Sequence, residues 1–451
     1  MPSNSLHHGG MRTEAVTVGF APAFGDPVPA SRRDVPETDR AGAVIPHILL
    51  ATTGKLPSTA RLAMELHDAG ARVSLVSPSN HPARALGFIQ DRRIYRAWAP
   101  CASLEAVIRR LRPDIVIPCD EITVRDLHEI ARKTTNPLVQ QSIVRSTAPV
   151  NRFQTIVSRA ALLSLADQLG VRVPGSRPLP AIGALEQWMQ ENDPPFVLKA
   201  DGSWAGFGVR IISDAGTARD AYVTMTKRAS GRLALRESLL EGNYFGIRPW
   251  LRKERPSMSV QQYIDGWPAN IGVACWQGEV LASVCAESVA TTSATGPSTV
   301  ARIIRNPEME DAARRVVAAL GLSGMIGFDF VIEAATQNAY LIEMNPRNTP
   351  ICAMRLGEGR DLAEALVARL AGRRRRERPA RTDRDIIVFF PDTWQEDPSN
   401  LFLRAGYHDV PWEEPDLVRL LMQPERRERY GILRALRRLW LMVNRDSGNP
   451  R

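Results

Sequence analysis

Two runs, Gly327-Phe328-Asp329-Phe330-Val331-Ile332-Glu333 and Tyr340-Leu341-Ile342-Glu343-Met344-Asn345-Pro346-Arg347, constrain this chain more than any other stretch. Both read as strands, and the residues between them read as a turn about Thr336. Folded that way, residue 329 stands opposite residue 343. Side chains alternate along a strand. Phe328, Phe330 and Ile332 then share an apolar face with Tyr340, Ile342 and Met344, while Asp329, Glu343 and Asn345 share the other. Two carboxylates about 4.5–5.5 Å apart on neighbouring strands repel unless a cation lies between them. Hard oxygen ligands without His or Cys favour Mg²⁺ or Mn²⁺ over zinc, and the Asn carbonyl adds a neutral oxygen. A solvated hairpin face is the plain alternative. Arg347, just beyond, weighs toward a metal–phosphate site, where it can stabilise a transferring phosphoryl group.

The rest of the chain surrounds this hairpin with ordinary globular material. Its 451 residues, 44% hydrophobic and 24% charged, suit roughly three units of about 150 residues. No apolar run reaches the ~18 residues of a membrane-spanning helix. The formal charge is +9, from 58 basic and 49 acidic residues, and part of it sits in Arg373-Arg374-Arg375-Arg376, read as a solvated linker. The five cysteines form no CxxC pair, which suits a reduced, cytoplasmic protein. Residues 1–45, rich in Pro, Ala, Gly and Arg, read as a disordered tail rather than a secretory signal.

From residue 46 to 149 short strands alternate with helices: His47–Ala51, Pro57–Ala69, Arg72–Val76, Leu104–Leu111, Asp114–Ile117 and Val124–Ala131. That order implies an α/β unit with a parallel sheet. The first loop is not GxGxxG, so no dinucleotide site is indicated. Asp120 and Glu121 follow a strand's carboxyl end, where α/β sheets often hold ligands, but a capping or first-turn acid of the next helix is the expectation. From 150 to 372 a helix at Ser158–Gly170 precedes strands paired antiparallel, an α+β pattern. A basic linker spans 373–384. The extension 385–451 holds the apolar strand Ile386–Phe390 and a basic amphipathic helix, Tyr430–Val443. Packing onto the body is the ordinary fate of such a helix, with membrane-surface docking as the alternative.

Two further segments carry chemistry. Phe196-Val197-Leu198-Lys199 is an apolar strand ending in a lysine, which is costly unless the ammonium meets an anion. It opens into Gly202-Ser203-Trp204-Ala205-Gly206-Phe207-Gly208, whose glycines let backbone N–H groups approach phosphate oxygens. This is not a Walker A loop, and a glycine-rich turn with a snorkelling lysine explains it nearly as well. Val260-Gln261-Gln262-Tyr263-Ile264-Asp265-Gly266 could border a base, or be a core strand ending in a turn.

Taken in order, the lysine with its glycine loop, the Gln-Gln-Tyr-Ile-Asp-Gly segment and the Asp-x13-Glu-x-Asn-Pro-Arg ending resemble the ATP-grasp superfamily, most of all its carboxylate–amine ligases and the carbamoyl-phosphate-synthetase-like branch. The resemblance covers roughly residues 150 to 372 and implies an ATP-grasp fold, two subdomains holding ATP between them. By that resemblance Lys199 would contact the α- and β-phosphates, and Gly202, Ser203, Gly206 and Gly208 would cover the triphosphate. Gln261, Gln262 and Ile264 would face adenine, with Asp265 near ribose. Arg159 would reach the nucleotide from the first helix of the block. Asp329, Glu343 and Asn345 would hold one or two Mg²⁺ (or Mn²⁺), and Arg347 would stabilise a developing acyl phosphate. Gln261 departs from the acid common at its place, and Trp204 in the glycine loop is bulky. The activity implied is an ADP-forming ligase joining a small-molecule carboxylate to an amine, with no nucleic acid involved. A bicarbonate-using carboxylase or carbamoyl-phosphate-type enzyme, a kinase and a non-catalytic nucleotide-binding regulator remain as alternatives. Substrate pockets are expected in loops such as Ser288–Arg302.

Overall fold

The computed structural model describes residues 44–200, 208–227, 256–293 and 296–423. Gly202, Ser203, Trp204 and Gly206, the helix at Tyr430–Val443 and nearly all of the amino-terminal tail lie outside the described residues.

The amino-terminal strands β1 (His47–Ala51), β2 (Arg72–Ser77), β3 (Arg92–Ile94) and β4 (Ile115–Pro118) form a parallel sheet ordered β3-β2-β1-β4. Every residue of β1 is buried, which explains its unbroken apolar run. Ile48 and Leu50 enter one core and Leu49 and Ala51 another. The helix Pro57–Asp68 begins with a proline, and Gly70 follows it at φ 93°. Asp120 caps the helix Glu121–Lys133, its Oδ1 accepting from Thr123 N–H at 2.8 Å.

A small antiparallel sheet follows: β5 (Ser176–Pro178), β6 (Phe196–Ala200), β7 (Val209–Ile212) and β8 (Met258–Gln262), ordered β5-β8-β6-β7, with its own apolar core. The third sheet has seven strands: β9 (Gly266–Trp276), β10 (Glu279–Thr291), β11 (Ser298–Ile304), β12 (Gly324–Glu333), β13 (Ala339–Asn345), β14 (Ile386–Phe389) and β15 (Tyr407–Asp409), ordered β13-β12-β9-β10-β11-β14-β15. It is antiparallel except for the β14–β15 pair. The hairpin β9–β10 turns at Gln277-Gly278, both at positive φ, as the two-residue turn requires. The helix Arg159–Gln168 is capped by Ser158, and the helix Pro307–Leu320 closes at Gly321 in the left-handed region.

Three expectations change. Ser288–Arg302 is mostly strand rather than loop, because β10 runs to Thr291 and β11 starts at Ser298. The strand Ile386–Phe389 is not an appendage: it pairs with β11 and completes the large sheet. The arginine-rich connection lacks helix and strand; Arg374, Arg375 and Arg376 are exposed, as a solvated run would be, while the arginines flanking them are tied down. Arg373 pairs with buried Glu364, Arg378 with Asp361 and Glu65, and Arg381 with Glu65. Glu65 belongs to the helix Pro57–Asp68 and is 2% exposed, so these arginines strap the amino-terminal unit to the large sheet. The apolar cores are likewise shared: one contains Ile48, Leu366 and Ile387, the other Leu49, Val76, Phe328 and Phe330.

Candidate active site

β12 and β13 bring the acids together as their spacing predicts, with Asp329 directly opposite Glu343 and Gly327 opposite Asn345. Between Asp329 and Phe330 the register shifts, because Ile342 is an extra residue on β13. This bulge corrects the expected faces. Phe330 and Ile332 pair with Leu341 and Ala339, which are buried, while Tyr340 and Ile342 are only half-buried. Tyr340 lies under the Arg172 guanidinium at 5.5 Å. Without the bulge Leu341 would share the acids' face.

The acidic face is organised by hydrogen bonds and cations. Asn345 Nδ2 donates to Asp329 Oδ2 at 2.8 Å. Arg159, from the first turn of its helix, donates from Nη2 to Glu343 Oε1 at 2.7 Å. Lys199, 5% exposed on β6, lies within electrostatic reach of both acids, so the small sheet faces the hairpin as a lysine-bearing flap would. Burial, and then the neighbouring Glu343 charge, push the Asp329 carboxyl up to about 6. Burial would also raise Glu343, but Arg159 and Lys199 outweigh it and hold that carboxyl below its usual range.

Arg347 sits where β13 leaves the sheet. Its guanidinium donates to Glu121 and, at 3.2 Å, to Asn345 Oδ1. Glu121 comes from the amino-terminal unit, whose Pro118 carbonyl also accepts from Asn348 N–H at 3.0 Å. Gly272 and Gly327, neighbours across β9 and β12, allow this docking: a Cβ at Gly327 would meet Thr349 Cγ2 at 2.5 Å, and one at Gly272 would meet Ile351 Cγ2 at 2.6 Å.

The adenine-side residues are less uniform. Gln261 is buried on β8, its Nε2 without a partner among the described residues, whereas Gln262 is exposed. Adjacent strand residues point to opposite faces, so the two side chains cannot both border one base. Ile264 is buried, Asp265 is exposed in the turn before β9, and Gly208 is buried where the chain enters β7.

Two site residues escape the sequence reading. Asn270 on β9 flanks Asp329 on the side away from Glu343, and its buried Oδ1 has no hydrogen-bond partner among the described residues. A lone amide in the apolar run Trp267–Val273 was the available signal. Glu121 stands where α/β sheets often hold ligands but reads foremost as a capping or first-turn acid; its partner lies 226 residues away. Among the described residues, no group of three or more His, Cys, Asp or Glu gathers as a metal site. Two carboxylates with amide oxygens of Asn345 and Asn270 are nevertheless a hard-oxygen set. It suits Mg²⁺, which takes one or two carboxylates and completes its shell from substrate phosphates and water.

The three-sheet arrangement, with a lysine-bearing small sheet facing a carboxylate pair on a large one, is the ATP-grasp fold. The family model of the ATP-grasp domain matches residues 245–350. An ADP complex of N5-carboxyaminoimidazole ribonucleotide synthetase is 13% identical, covering 75% of this chain and 80% of its own, at a TM-score of 0.53. A biotin carboxylase complexed with β,γ-ATP from Campylobacter jejuni is 15% identical, covering 73% of this chain and 72% of its own, at 0.53. The biotin carboxylase domain dimer of the Hydrogenobacter thermophilus 2-oxoglutarate carboxylase, in complex with MgADP, ADP and bicarbonate, is 14% identical, covering 73% and 70%, at 0.51. No curated protein matches the chain. Among the described residues, no helix is long and apolar enough to cross a membrane.

Proposed function

We propose that the chain is an ADP-forming, ATP-dependent ligase that activates a small-molecule carboxylate as an acyl phosphate and joins it to an amine. The observation that carries this reading is the opposed pair Asp329 and Glu343, supported by Asn345 and faced by Lys199 and Arg347. Lys199 and Arg159 hold the nucleotide phosphates, and Gln261 or Gln262 with Ile264 and Asp265 borders the nucleoside. Gly202 to Gly208 covers the triphosphate. Asp329, Glu343 and Asn345 hold Mg²⁺, which when bound screens the β- and γ-phosphate charge.

The substrate carboxylate attacks the γ-phosphorus, the bond to the β-phosphate oxygen breaks, and ADP leaves. The amine then attacks the acyl carbon, loses a proton and expels inorganic phosphate. Arg347 is the cation best placed to face the charge that develops on the acyl oxygen. Glu121 and Asn345 hold its guanidinium in one orientation, so little reorganisation accompanies the step.

Asp329→Ala and Glu343→Ala should each abolish ADP release, assayed with pooled amino acids and small carboxylic acids, while circular dichroism stays that of the parent. Undiminished release in both variants would remove the metal assignment. A second reading has one observation behind it, since the 2-oxoglutarate carboxylase neighbour is a complex with bicarbonate as well as MgADP. In that reading bicarbonate is the activated acid, and ADP release would depend on bicarbonate alone. AMP as the product would overturn both.

A further inference from the structure

Beside the acids lies a cleft lined by Glu121, Val124, Arg125, Ile156, Val157, Arg159, Leu162, Glu343, Met344, Asn345 and Pro346. One wall is the helix Glu121–Lys133 of the amino-terminal unit, and the opposite wall is the end of β13 with the helices Phe153–Val157 and Arg159–Gln168. The cleft's charges are nearly all matched. Glu343 is held by Arg159, and Glu121 by Arg347. Arg125 is the exception: it is exposed and makes no hydrogen bond or ion pair with the described residues. Its own helix offers two carboxylates one turn away, Glu121 and Glu129, and both are taken, the second by Lys133 at 2.9 Å.

A free guanidinium at the mouth of a cleft whose acids are neutralised attracts an anion. Its planar fork matches a carboxylate through two parallel hydrogen bonds. Val124, Ile156, Val157, Leu162 and Met344 supply apolar surface and no hydrogen-bonding side chain. A ligand that satisfies both walls has one carboxylate and an apolar remainder.

We infer that this cleft binds the acid substrate, that the acid is a monocarboxylate with an apolar side group, and that Arg125 is the residue that selects it. The inference rests on the ligase reading, because Glu343 and Asn345 border the same cleft. Against an exposed site water competes, so Arg125 sets affinity rather than rate: it should govern KM for the acid and leave kcat and the nucleotide KM alone.

The test uses the full chain with saturating MgADP and four probe acids: acetate, 3-methylbutanoate, phenylacetate and succinate. Thermal midpoints are followed as each acid is titrated. The expected result is a saturable rise with 3-methylbutanoate and phenylacetate and little or none with acetate and succinate. Arg125→Met should weaken that binding roughly two- to fivefold, as loss of a solvent-exposed ion pair does, and Arg125→Lys should restore part of it. MgADP affinity should be unchanged in both variants. No saturable rise in the parent, with MgADP still bound, would overturn the cleft assignment and leave the ligase reading standing. A rise whose midpoint is unshifted in Arg125→Met, or one largest with succinate, would overturn it as well. Failure of the parent to bind MgADP would remove the ligase reading, and this inference with it.

Discussion

His81 and His128 show how single residues in this molecule are set by their surroundings. Both are nearly fully buried, and both are held down to about 3, first by burial. Arg84 and Lys55 add to the effect at His81, where Asp120 opposes it, and Arg132 adds to it at His128. His81 Nδ1 accepts from Ala83 N–H at 3.0 Å, and His128 stacks on Phe153 at 3.7 Å. Neither ring is charged in the folded chain at pH 7. The unfolded chain protonates both near its ordinary histidine value, about 6.5. Between about 6.5 and 3 the unfolded state therefore binds protons that the folded state refuses, and stability falls with pH. Each ring should contribute about 1.4 kcal/mol per pH unit over that window. Urea titrations at pH 7, 6 and 5 would measure it, and His128→Phe should reduce the slope by one proton's share. A stability that is flat from pH 6.5 to 5 would contradict the account.

At the level of elements, strand and helix positions were readable where the pattern is local. His47–Ala51 and Ile386–Phe389 follow from their apolar runs, and the helix at Ser158 from the sequence around it. The pairing of residue 329 with residue 343 also follows from counting outward from a turn. The bulge at Ile342 does not, because alternation carries no mark of an inserted residue and only the packing of Leu341 reveals it. The two registers make opposite predictions. With the bulge, Leu341→Ala should cost about 2–5 kcal/mol, as loss of a fully buried leucine does, and Ile342→Ala much less. Denaturant midpoints of the two variants would decide it; the reverse order would restore the regular register. Asn270 and Glu121 were illegible for a related reason: their partners come from other strands and another unit, and a single sequence does not say which distant residues meet.

Across the whole molecule, the arginines of the 373–381 segment act as a strap. Glu65 accepts from Arg378 Nη2 at 3.3 Å and Arg381 Nε at 2.8 Å, with Arg355 close by at 3.6 Å. Arg374, Arg375 and Arg376 are exposed, as composition suggests; the acids that bind the flanking arginines are spread from residue 65 to residue 413. Glu65→Gln keeps the shape but removes the charge shared by Arg355, Arg378 and Arg381, which retain Asp68, Asp361 and Glu413 as partners, and should cost about 1–3 kcal/mol. Because the amino-terminal unit and the large sheet share cores, calorimetry of the parent should show their melting as one transition, and of Glu65→Gln one transition at a lower temperature. Separate melting of the two would show that the strap does not couple them.

The contact between Glu121 and Arg347 has a consequence for engineering. A different first unit in place of residues 46–149 would leave the Arg347 guanidinium without its Glu121 partner and free to swing toward the adjacent carboxylates. A chimera of this kind would keep Lys199 and the acid pair and still lose its aim, unless the incoming partner brought an acidic side chain to the same spot.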